Sequence, residues 1–84
     1  MTIRYRGMFY KVLRRWGFFY VKNSEKYNNS PIFLKHSEVL GSIIAEIGEN
    51  HVILKIPLYG IAKRVDAPSK LEALLKNMFL EDLL

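Results

Sequence analysis

The sequence predicts an all-β fold: a small barrel of five strands, drawn from as many as six extended runs, with an appended C-terminal α-helix. Three observations lead there. Aromatic and β-branched residues crowd the first half of the chain, and Gly and Pro divide it into runs of strand length. A leucine-rich stripe at helical spacing is confined to its end. The barrel takes residues 1–66 and the helix residues 67–84, docked on the barrel or on a partner.

Ile3 to Leu13 is read as the first strand, kinked or bulged at Gly7, the only weak point in a run of aromatic and β-branched residues. Arg14-Arg15 make a short turn. Strand two is Trp16 to Lys22, and Asn23 to Pro31 is a polar loop containing Asn28-Asn29-Ser30-Pro31. Ile32 to His36 is a third strand. Ser37 to Ile47 fits a helical stripe and a strand alternation alike, and the strand reading after Gly41 is preferred. Gly48-Glu49-Asn50 is a turn, and His51 to Ile56 is a strand that buries Val52, Leu54 and Ile56. Pro57 ends it, because proline cannot donate to a sheet ladder. Leu58 to Val65 is a last strand broken at Gly60. After the hinge Asp66-Ala67-Pro68, Ser69-Lys70-Leu71-Glu72 has the form of a capping box. The helix it opens aligns Leu71, Leu74, Leu75 and Met78, with Phe79 at the margin.

Eighty-four residues make one domain, and a chain of that size buries only roughly 60–65% of the surface it exposes when unfolded. Cysteine is absent, which excludes disulfides and thiolate metal sites. His36 and His51 have no clustered carboxylates in the sequence, so neither a metal centre nor a catalytic dyad is expected, and no cofactor is implied. The basic N-terminal run is interrupted by Lys11, Arg14 and Arg15 where a secretory segment would be continuously apolar, and no run approaches the ~18 apolar residues of a membrane span. A soluble, cytoplasmic protein that is not an enzyme is expected.

The net charge of +5 is unevenly spread: residues 1–36 hold eight of the thirteen Lys and Arg against one acid, a local +7. Nine of the eleven aromatics lie in the same stretch. Basic residues interleaved with rings are the footprint of single-stranded nucleic-acid binders, where bases stack and phosphates meet cations. Strand alternation puts Trp16, Phe18, Tyr20 and Lys22 on one face, and Phe19 and Val21 on the other. Burying Phe19 and Val21 with Ile32 and Leu34 would leave Phe18, Tyr20, Phe33 and Lys35 together as an exposed platform; in the alternative, Phe18, Tyr20 and Phe33 are the core of an unrelated barrel.

Trp16-Gly17-Phe18-Phe19-Tyr20-Val21, with its Gly17 ten residues after Gly7, is followed by Ile32-Phe33-Leu34-Lys35-His36-Ser37 and by Gly60-Ile61-Ala62-Lys63-Arg64-Val65. In order and pattern these resemble the RNP1-like, RNP2-like and closing segments of the cold-shock domains, the small OB-fold barrels, over roughly residues 4–66. Trp16, Phe19 and Lys35 depart from the family's usual lysine, glycine and histidine. The resemblance implies an OB-like barrel with Phe18, Tyr20 and Phe33 as the stacking surface, and with Lys22, Lys35, Tyr10 and Lys11 beside it. Arg14, Arg15 and Trp16 border that surface, as does His36.

Single-stranded RNA or DNA is therefore the expected ligand, held with little sequence preference. The competing expectation is an SH3-like or Sm-like small barrel that binds protein or a second copy of itself through its aromatic face and C-terminal helix. Leu80, Leu83 and Leu84 fall off the helix's main stripe and would meet that partner.

Overall fold

The computed structural model describes residues 6–25 and 30–82. Helix α1 (Arg6–Arg15) is followed by strands β1 (Phe19–Asn23), β2 (Pro31–Ser37), β3 (Gly41–Ile47) and β4 (Val52–Ile56). A 3-10 turn (Pro57–Tyr59), strand β5 (Ile61–Val65) and helix α2 (Pro68–Asp82) complete the order. The strands form one antiparallel meander in the order β1-β2-β3-β4-β5. Five strands and a C-terminal helix match the expectation; the sheet, however, is open, with β1 and β5 as its edges.

Residues 6–13 correct the expected first strand, because they are helical. Phe9, Val12, Leu13 and Trp16 stand at i, i+3, i+4 and i+7, and the first three are buried. One helical face thus removes its apolar residues from water, while Met8, Lys11, Arg14 and Arg15 stay exposed. An extended chain would have sent Phe9 and Val12 to opposite faces. That difference in burial outweighs the weak β-propensity of the run.

Arg14-Arg15 is accordingly the last helical turn, and Trp16-Gly17-Phe18 is a helix cap rather than the start of a strand. The Phe18 N–H donates to the Leu13 carbonyl at 2.9 Å and the Gly17 N–H to that of Arg14 at 3.1 Å. With Gly17 at φ +88°, this is a Schellman motif, and its apolar partners Leu13 and Phe18 both enter the core. Lys35 completes the cap by donating from Nζ to the Trp16 carbonyl at 2.6 Å, placing a cation at the negative end of the helix. A Cβ on Gly17 would stand 2.8 Å from that ammonium. Gly17→Ala is thus expected to cost about 1–2 kcal/mol from the left-handed backbone and the displaced lysine, read as a lower urea midpoint.

The core lies between one face of the sheet and both helices. Ile43, Ala45 and Ile47 of β3 and Val52, Leu54 and Ile56 of β4 alternate inward, as period-two patterning requires. Phe33 pairs with Ala45, which pairs in turn with Leu54. The small alanine leaves room at the sheet's centre for the ring. Turn chemistry sets the connections. The Ser37 hydroxyl accepts from the backbone N–H groups of Val39 and Leu40, and Gly41 at φ +76° starts β3. Pro57 ends β4, as expected, by opening the 3-10 turn, which Gly60 closes at φ +64°. The expected strand from Leu58 therefore begins only at Ile61.

Helix α2 buries Leu71, Leu75 and Phe79, with Leu74 and Met78 packed beside them. The expected stripe is present, and Phe79 belongs to its centre. The helix begins at Pro68, a residue pre-set for a first helical turn, and the Leu71 N–H reaches the Ala67 carbonyl at 3.0 Å. Ser69 consequently lies inside the first turn and not at a capping-box position. Leu83, Leu84 and the side chain of Leu80 lie outside the described residues, as do Tyr27 and residues 26–29 of the expected polar loop.

Candidate nucleic-acid interface

Displacement of the strand start from Trp16 to Phe19 inverts the expected faces. Phe18 is 4% exposed and Phe33 2%, so neither can stack a base. Phe19, expected in the core, is 51% exposed. It pairs with Leu34, and Lys22 pairs with Ile32, across a bulge at Val21. The extra residue brings Phe19 and Lys22, which strict alternation would separate, to the same outer face. Ile32 and Leu34, expected to be buried, belong to that outer face and are half-buried. Val21, also expected inside, is exposed at the sheet edge.

Tyr20 remains half-exposed, as the expected platform required, but its role is structural. Its ring meets Phe33 edge-on at 5.8 Å, and its hydroxyl donates to Asn23 Oδ1 at 2.8 Å. Tyr10 also packs on Phe33, with 5.3 Å between the ring centres. The expected platform is thus divided: Phe33 packs with Tyr10 and Tyr20, Phe18 lies against Phe79, and of the three only Tyr20 reaches solvent.

Other predicted ligand residues are brought together. Arg15 and Trp16 at the end of α1, Lys35 and His36 on β2, and Phe79 on α2 line one open groove of about 570 Å³ where the helical layer meets the sheet. That volume lies in the range of about 300–1,000 Å³ typical of ligand sites. Trp16 and Phe79 are in tilted contact at 5.7 Å, and Lys35 Nζ sits 4.6 Å from the Phe79 ring centre. The indole Nε1 is buried without an acceptor among the described residues. His36 Nδ1 lies 3.3 Å from Ser42 Oγ, and its ring is exposed. Glu38 is the one carboxylate lining the groove among the described residues.

The exposed face of α1 adjoins this groove. Lys11, Arg14 and Arg15 follow at helical spacing, and the helix contains no acid. Arg15 is bonded to Glu72 of α2 at 2.6 Å, whereas no carboxylate among the described residues pairs with Lys11 or Arg14. The Arg15 pair is largely solvated and contributes no more than about 1 kcal/mol, so it can exchange for a phosphate. A smaller cleft of about 270 Å³ between β5 and α2 is lined by Lys63, Arg64, Lys70 and Leu74 and has no ring in its lining. Arg64 there is held by Asp66 at 3.0 Å.

Phe79 and Val39 of the groove, and Phe19 on the outer face, were not among the predicted ligand residues. The i, i+3, i+4, i+7 spacing from Phe9 to Trp16 is the signal that would have found Phe19, whereas Val39 and Phe79 reach the groove only through tertiary packing. That spacing makes residues 6–15 a helix, moves the strand start past Gly17, and exchanges the faces of Phe18 and Phe19. Among the described residues no group of three or more His, Asp or Glu side chains could hold a metal ion, and no helix is long and apolar enough to cross a membrane. No family model, curated protein or solved structure matches the chain.

Proposed function

We propose that this chain is a non-enzymatic binding module for single-stranded RNA or DNA, with its site in the groove at the end of α1. The observation that carries this reading is the meeting of Arg15, Trp16, Lys35 and His36 around one groove floored by Phe79. A base laid against the half-buried Trp16 ring would place its neighbouring phosphates near Arg15 and Lys35. Lys11 and Arg14 would then receive the phosphates that follow along the helix. Stacking tolerates every base, and cations follow the backbone, so affinity would carry little sequence preference.

Trp16 is the only tryptophan in the chain, so its fluorescence reports binding directly when RNA and DNA oligonucleotides are titrated. The logarithm of the association constant should fall with that of salt, with a slope of about −0.7 for each phosphate contact on a single strand. Lys11→Ala and Arg14→Ala should each make the slope shallower by about 0.7. A slope that responds only to neutralising Lys63 and Lys70 would move the site to the β5–α2 cleft. No response to any oligonucleotide would refute the reading.

A second reading is favoured by the outer face of the sheet. Ile32, Leu34, Ile44 and Ile53 are half-buried there beside exposed Phe19, with the Glu46–Lys55 pair at 2.9 Å among them. An aliphatic surface of this kind suits another protein better than flat bases. A concentration-dependent mass in sedimentation, abolished by Ile44→Lys, would support that reading.

A further inference from the structure

Tyr59 belongs neither to the core nor to the groove. It lies in the 3-10 turn between β4 and β5 with 53% of its surface exposed, next to Leu58 at 65%. The ring is nonetheless held in place, because its hydroxyl donates to the Val39 carbonyl at 3.2 Å. That bond ties the β4–β5 turn to the β2–β3 turn. Leu58 reinforces the junction by packing over Gly41, where an added Cβ would meet its side chain at 3.5 Å. Val39 is itself 56% exposed and lines the groove. An apolar surface therefore continues from the groove wall through Val39 to the ring of Tyr59.

Resting on the groove as the binding site, we infer that Tyr59 is a second stacking platform for the same single strand. It takes a base beyond the nucleotide held against Trp16, and Val39 bridges the two positions. A ring already tied to the backbone has less freedom to lose when a base settles on it, which favours binding without induced rearrangement. The cations around the groove select a polyanion as the occupant of the path. An uncharged apolar partner would leave Lys11 and Arg14, which pair with no carboxylate among the described residues, without a counter-charge.

The experiment measures fluorescence anisotropy of a labelled twelve-residue oligothymidylate with the wild-type chain, Tyr59→Ala and Tyr59→Phe, across a range of salt. Tyr59→Ala should weaken binding by about 5- to 150-fold, the range for loss of one base stack, and leave the salt slope unchanged because no phosphate contact is lost. Tyr59→Phe keeps the ring but not its bond to Val39, so it should bind between the other two. Thermal melting checks that the variants remain folded, as expected for an exposed position. If Tyr59→Ala binds like the wild type while Lys11→Ala and Arg14→Ala still lower the slope, Tyr59 lies off the path and the groove stands. If the wild type fails to bind, the groove reading itself falls. A drop in sedimenting mass for Tyr59→Ala with unchanged oligonucleotide affinity would overturn the inference in favour of a contact between copies.

Discussion

Ending the chain at Ala67 should leave it unable to fold. The lost helix carries Leu71, Leu75 and Phe79, all buried, and they belong to the same core cluster as Phe9, Val12 and Leu13 of α1. Each such side chain contributes roughly 1.5–3 kcal/mol by leaving water, so the three together supply roughly 4–9 kcal/mol. A domain of this length has a total stability of only about 4–13 kcal/mol. Removing α2 also exposes Phe18 and Trp16, whose rings lie 6.3 and 5.7 Å from that of Phe79. Far-UV circular dichroism and urea titration of the truncated chain provide the check. A cooperative transition at the full-length midpoint would show that the helix is not part of the core.

Phe18→Ala and Phe33→Ala should each destabilise the fold by about 3–5 kcal/mol, the cost of emptying a buried aromatic site. Phe33 has the most to lose, since Tyr10 and Tyr20 pack against it and Ala45 beside it cannot fill the space. Phe19→Ala, one residue from Phe18, should cost under about 1 kcal/mol because half of that side chain is already in water. Urea midpoints compared at constant slope separate the three. The contrast between neighbours is the decisive quantity, because a strand running through Trp16 would reverse it. A Phe19 variant less stable than the Phe18 variant would restore the strand-like parity and remove the helix cap.

The competing readings of residues 16–22 show how local composition and long-range packing diverged here. Trp, Phe, Tyr and Val in succession favour a strand, yet Gly17 takes a left-handed conformation and Phe18 turns into the core as the end of a helix cap. Gly17 is compatible with either form, and the local sequence does not distinguish them. What distinguishes them is the apolar stripe of the preceding ten residues, which has somewhere to be buried only once the sheet and α2 are present.

The sequence by itself determined the elements whose patterns are unambiguous. Val52, Leu54 and Ile56 alternate on β4 between turn residues, and so that strand and its inward face were legible, whereas residues 37–47 fitted helix and strand alike until the pairing of β3 with β2 and β4 settled them. The stripe of α2 and the concentration of positive charge in residues 1–36 were legible for the same reason: each is a local property of the chain. Tertiary structure decided the rest. The bulge at Val21 sets which side of β1 faces outward, the pairing of Phe33 with Ala45 puts the ring inside, and the open sheet leaves its aliphatic outer face uncovered. The groove likewise exists only where α1, β2 and α2 meet. Its residues lie as far apart in sequence as Arg15 and Phe79, and contacts of that separation are created by packing alone.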